Sequence, residues 1–250
     1  MKKASYLLSA MLMVACLSQP VSAQFEGQIT YTSYEYAGAE QEEKDEFNLF
    51  ITPDRILLQG ENKYEFMGSL KTEGVLVRLD FEDFVFLTGD DKVLKISKSD
   101  ITSMMKMFDN GGNTQEKVKD KSEDVSYERT GETKTIKGYK SEKFVFRDET
   151  EKDEHMEVWM TKDINVNWGM LAEPWNGSAQ TMIDNFPMSI IFQEKYFPIR
   201  VESFDGGQKE SLLEASNINE SSVARAMVKV PSGVQVLSLQ DYLFQKMSEQ

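Results

Sequence analysis

The chain has 250 residues, with 42 acids against 28 Lys and Arg and a formal net charge of −14 at pH 7. A surface this acidic repels nucleic acid and anionic head groups, so neither is an expected partner. With one cysteine, Cys16, and one histidine, His155, the chain has no intrachain disulfide and no multi-histidine zinc site.

Lys2 and Lys3 precede an apolar run, Ala4 to Leu17, that is too short to span a bilayer. Val21-Ser22-Ala23 then places small residues where a signal peptidase reads. Residues 1–23 are therefore predicted to be a signal peptide, cut between Ala23 and Gln24. Met13-Val14-Ala15-Cys16 supplies a competing reading, a lipoprotein box with lipidation at Cys16. The expected location is the periplasm or the bacterial exterior, or a membrane surface if Cys16 is the anchor. No transmembrane span is expected. Residues 24–250 read as a single β-rich domain, able to bury roughly 70% of its unfolded surface.

Strand patterns dominate that domain. From Phe25 to Tyr36 the residues alternate, with Ile29 and Tyr31 on one face and Gln28, Thr30 and Thr32 on the other. Phe47, Leu49 and Ile51 repeat the period, as do Val75, Val77, Leu79 and Phe81. Turn-like breaks lie at Pro53-Asp54, Gly89-Asp90-Asp91 and Asp205-Gly206-Gly207. Ser99 is placed to cap a helix carrying Ile101, Met104, Met105 and Phe108, which ends at Asn110-Gly111. Residues 109–124 have Val118 as their one sizeable apolar side chain and read as a surface linker. A calcium-loop reading of Asp109 to Asp120 fails, because Gly111 occupies a ligand position and Thr114 the glycine position.

The stretch TKTIKGYKSEKFVF, residues 133–146, has one glycine, Gly138, with a strand behind it instead of a helix. Phosphate-gripping loops need several glycines and a helix start, so this is a hairpin bend. Met156, Val158 and Met160 share a strand face, as do Ile199 and Val201. A weaker helical pattern runs from Ala179 to Phe186 before Pro187. Ser238-Leu-Gln-Asp241 resembles a capping box and opens a helix with Leu239, Tyr242, Leu243 and Met247 on one stripe. Strands following strands with little room for crossover helices predict an antiparallel meander.

TGETKTIKGYKSEKFVF followed by EVWMTKD resembles the central signature of an exported bacterial family of unknown function, DUF4412. The matching residues are Ile136, Gly138, Tyr139, Lys143, Trp159 and Thr161, with Ser141 where the family often has cysteine. Phe186-Pro187 resembles the family's Gly-Phe-Pro step, with Asn185 in place of glycine. The family is similar to the lipoprotein-carrier superfamily. That resemblance implies a mainly β (α+β) fold: an antiparallel, incompletely closed half-barrel with a few helices covering a hydrophobic cavity.

Candidate sites are weighed against plain structure. Acids cluster around His155 in residues 147–157, but interspersed Lys and Arg mark a solvated loop more than a metal site. Glu173, beside Pro174-Trp175, is the best-placed carboxylate for acid chemistry and reads as a rim residue. The sequons at Asn176 and Asn219 carry little meaning in a bacterial exported chain. The informative concentration is apolar: Trp159, Trp168, Trp175, Met182 and Phe186, with Met104, Met105 and Phe108 on the predicted helix. Methionine-rich surfaces adapt to varied apolar ligands. Trp168 to Phe186, broken by Gly169, Pro174 and Gly177, reads as a lid over a cavity mouth. No catalytic constellation, metal site or cofactor is expected. The expected function is a non-catalytic envelope carrier for a lipid, acyl chain or other apolar group. The alternative is an envelope protein-interaction or stress-sensing module without a cavity, and a carboxylate-dependent hydrolase ranks last.

Overall fold

The computed structural model describes residues 24–37, 40–66, 70–89, 91–103, 125–148, 153–173 and 188–248. Twelve strands form one open sheet: β1 (Gly27–Ala37), β2 (Glu40–Ile51), β3 (Arg55–Phe66), β4 (Leu70–Arg78), β5 (Asp83–Leu87), β6 (Lys92–Ser97), β7 (Val125–Ile136), β8 (Tyr139–Asp148), β9 (Glu154–Thr161), β10 (Phe197–Asp205), β11 (Gln208–Glu220) and β12 (Gln235–Ser238). Their order is β12-β6-β5-β4-β3-β2-β1-β11-β10-β9-β8-β7. Two meanders, β1 to β6 and β7 to β11, thus meet where β1 pairs antiparallel with β11. Only β12 departs from the expected pattern, adding to β6 in parallel. The fold is mainly β, and β12 and β7 leave the sheet unclosed.

Helices are short. Residues 98–103 form the described part of α1, α2 spans Met188–Phe192 and α3 spans Leu239–Ser248. The cap of α1 is Ser97, not Ser99: the Asp100 N–H donates to Ser97 Oγ, while Asp100 Oδ2 accepts from the Ser97 N–H and hydroxyl. Ser238 and Asp241 make the same three bonds at α3. These bonds from Ser238 hold the Asp241 carboxyl below its usual range. Two helices therefore leave the ends of two parallel neighbouring strands through the same device.

Alternation along the strands splits the core between two faces of the sheet. On the inner face, α1 and α3 cover Phe86, Leu94 and Ile96. At the sheet's far end α2 covers Phe144, Phe146, Val158 and Met160 through Ile190. Between them Ile29, Tyr31, Ile51 and Ile56 pack under an irregular strap, residues 162–173, through Ile164 and Val166. On the outer face the connection from β11 to β12 crosses Phe50, Leu57, Leu76, Val85 and Val93 with Val223, Val228, Val230 and Val234.

Three local patterns resolve differently from their expectations. The alternation through Leu79 and Phe81 is not strand, because residues 79–82 turn. The Arg78 guanidinium holds both oxygens of the Asp83 carboxylate across that turn and covers the exposed Phe81 ring. Asp83 also raises the Arg78 pKa. Ile199 and Val201 join different clusters, since a bulge between Pro198 and Arg200 re-aims the backbone. On α3 Leu239 and Tyr242 are buried, while Leu243 and Met247 face water.

Candidate functional site

The inner face is not evenly covered. Val75 pairs with Leu58, and Leu58 with Leu49. Phe47, two residues along on the same face, pairs with Tyr31. Leu213 pairs with Val201 and sits opposite Ser33. Val75, Leu49, Phe47, Leu213 and Val201 are each half-buried, and Leu58 is 39% exposed. Register thus places a diagonal band of half-covered hydrocarbon on β4, β3 and β2 and again on β11 and β10, interrupted at β1 by the buried Tyr31 and the polar Ser33, between the cover of α3 and that of α2. Its upper rim is polar. Ser33 pairs with Asp45, and the Ser203 and Ser211 hydroxyls are hydrogen-bonded at 2.5 Å.

A row of aromatic rings borders this band. Phe192 of α2 meets Trp168 edge-on at 5.2 Å, and Trp168 stacks on Phe197 at 6.2 Å. Phe197 then meets Tyr31 at 6.5 Å, and Tyr31 stacks on Phe47 at 5.1 Å. Such offset and edge contacts suit the ring quadrupoles. The row is anchored by one polar bond, from the Tyr31 hydroxyl to Pro198 O at 2.6 Å. Burial pushes the Tyr31 phenol well above its ordinary range.

The strap brings Trp168 there. It leaves β9 at Thr161 and takes a hydrogen bond from the Phe25 N–H on Asn165 O, at 2.7 Å. It is then pinned by Asn167 Nδ2 donating to Pro53 O, at 2.8 Å. Gly169 passes Leu79 so closely that a Cβ would lie 3.0 Å from the leucine methyl, and its φ of 46° also favours glycine. Beyond a short 3₁₀ turn, Gly169–Leu171, Glu173 pairs with Lys98 at 2.8 Å. Glu173 is therefore an exposed ion-pair partner at the rim.

Of the sequence-predicted ligand residues, Trp168 borders the band. Trp159 is buried in the cluster of Ile29, Tyr31, Ile164 and Phe197 beneath the strap, with the Lys134 and Lys143 ammonium groups over its ring. Met104, Met105, Phe108, Trp175, Met182 and Phe186 lie outside the described residues, as do Cys16, Ala23 and the linker at 109–124. His155 stacks on Phe204 at 4.8 Å, with its Nε2 3.9 Å from Glu157. Among the described residues no three His, Cys, Asp or Glu side chains gather as a metal site. Nor is any described helix long and apolar enough to cross a membrane. Sequence reasoning missed the band itself. Its residues look like ordinary core, and only cross-strand register shows that they adjoin.

A family model for a domain of unknown function, DUF4412, matches residues 85–234. The chain belongs to the DUF4412 family. In this DUF4412 protein the residues that carried the resemblance form a packing unit. Lys137 and Gly138, at φ 51° and 89°, make the two-residue turn joining Ile136 to Tyr139. A Cβ on Gly138 would meet nothing within 4 Å, so backbone conformation alone calls for glycine. Tyr139 donates its hydroxyl to Glu220 at 2.7 Å, and burial, then Glu220, pushes its pKa up to about 12. Lys143 is cross-strand from Trp159, and Ser141 from Thr161, both of the latter pair fully buried.

No curated protein matches the chain. Solved structures of similar fold include PNGF-II, at 14% identity and a TM-score of 0.47, covering 90% of this chain and 33% of that one. The chain thus spans about a third of the length of PNGF-II. MucB in complex with MucA(peri) is similar at 8% identity and a TM-score of 0.41, covering 87% of this chain and 58% of that one. A Vibrio parahaemolyticus domain described as outer membrane lipoprotein-sorting is similar at 9% identity and a TM-score of 0.26, covering 82% and 89%.

Proposed function

We propose that this DUF4412 protein is a non-catalytic binding or carrier protein of the bacterial envelope, holding an acyl chain or similar apolar group. One observation carries the reading: the half-covered band from Val75 to Val201, bordered by the row from Phe192 to Phe47. Apolar surface left half-open on a monomer marks a binding place. An extended hydrocarbon chain would lie along this band, with its polar end at the Ser33, Ser203 and Ser211 rim. Each methylene buried there contributes roughly 0.8 kcal/mol. Binding of this kind needs no nucleophile, general base or metal.

The test is lipid extraction and native mass spectrometry of the protein taken from its own envelope, with titration of a fluorescent fatty acid beside it. Leu58→Asp places a charge in the band at an exposed position and should abolish the uptake. An empty protein that also ignores the fluorescent probe would sink the reading. A second reading has its own observation: Leu243, Phe244 and Met247 of α3 are 44%, 63% and 75% exposed on adjoining positions. That surface suits a partner protein, and crosslinking followed by co-purification from the envelope would favour it if Phe244→Asp removed the partner.

A further inference from the structure

The outer face carries a second concavity, unrelated to the band. A cleft of about 410 Å³ lies between the β2–β3 turn and the crossing that leads to β12. Its volume falls within the span of roughly 300–1,000 Å³ usual for small-molecule sites. Three cations line it, Arg55, Arg225 and Lys229, in a chain whose net charge is −14.

Their states differ. Arg55 is committed, donating to Val228 O at 3.2 Å and to Asp80 at 3.1 Å. Arg225 and Lys229 are exposed, and neither is paired with a carboxylate of the described residues. The two acids in the walls are already occupied. Glu26 accepts from the Val223 N–H at 3.1 Å, and Asp54 accepts from the Thr52 hydroxyl at 3.0 Å. Val223 and Val228 supply hydrocarbon between the charges.

The geometry points to a site for a small organic monoanion, a carboxylate carried on a short apolar body. Two cations with no carboxylate partner among the described residues favour an anion, and Arg225 can take a carboxylate through two parallel N–H bonds. Asp54 and Asp80 both face Arg55, so the cations left to meet a ligand are Arg225 and Lys229, and against Glu26 they leave a single positive charge on the crossing's side of the cleft, which suits a monoanion better than a dianionic phosphate. Val223, half-buried beside the buried Val228, gives the apolar body a surface to cover.

The purified protein is titrated with hexanoate, hexan-1-ol and hexyl phosphate at constant ionic strength, following backbone amide shifts by NMR. Hexanoate should move the amides of Val223 and Val228. The double variant Arg225→Gln/Lys229→Gln, changed only at exposed positions, should melt as the parent does and bind hexanoate about tenfold or more weakly. Leu58→Asp on the inner face should leave hexanoate affinity unchanged. The proposal is overturned if hexan-1-ol binds as well as hexanoate, if hexyl phosphate binds more tightly, if no probe moves these amides, if the double variant binds normally, or if Leu58→Asp abolishes binding.

Discussion

Two irregular segments cross this sheet, one on each face, and they do different work. The inner strap sets Ile164, Val166, Trp168 and Met170 at every second position, and all but Trp168 are buried. The outer crossing fully buries only Val228, with Val223, Val230 and Val234 half-buried and Arg225 and Lys229 turned to water. Neither has strand pairing. The difference shows that irregular backbone becomes core when its side chains alternate as a strand's would and its few backbone bonds reach buried neighbours. Where that spacing lapses, the segment lies loosely and leaves a cleft.

Substitutions can break this contrast. Met170→Ala should cost about 2–5 kcal/mol in denaturant unfolding, the range for emptying a closed core site. A loss below about 1 kcal/mol would show that the strap is not core. Val228→Ala should cost less, about 1–3 kcal/mol, because it removes fewer methylenes from a thinner layer. Equal losses at the two sites would erase the distinction.

Alkaline titration sharpens it further. The folded Tyr31 pKa is raised above the ordinary value of 10.0 by burial, so its stabilising contribution is complete below pH 10. Above pH 10 the unfolded chain releases this proton first, and stability falls by about 1.4 kcal/mol per pH unit. The outer-face cluster contains no tyrosine among the described residues, so Tyr31→Phe should lessen that slope, while the raised Tyr139 and Tyr196 phenols keep part of it. An unchanged slope would assign the effect elsewhere. Smallest of all is the Lys98–Glu173 pair at the strap's end, partly exposed at 2.8 Å. A double-mutant cycle should give about 1 kcal/mol or less, fading with added salt.

Much of the sheet was legible because its signals are local. Ile29 with Tyr31, and Phe47 with Leu49 and Ile51, alternate within single strands, and Gly138 marks its turn with a backbone conformation other residues resist. Leu79 and Phe81 misled because alternation continues through a turn fixed by the Arg78–Asp83 pair. The parallel edge strand was illegible, since its four residues find β6 far back in the chain. The candidate band was illegible for the same reason: Leu213 stands opposite Ser33 only once both meanders exist. Trp168 was singled out within a lid and proves to be part of the strap. The methionines and aromatics named beside it fall outside the described residues, so the placement of that lid is carried by Trp168 alone.

The seam between β1 and β11 has a kinetic consequence. As the chain emerges, β1 to β6 can zip by successive hairpins, each closing a short loop. The open side of β1 must then wait for residues 208–220, far later in the chain. During that interval an unpaired edge, with Ile29 and Tyr31 beside it, is available to any other extended chain. The joining of two finished halves is therefore the expected slow step in making this protein, with its yield most exposed to crowding of half-made copies.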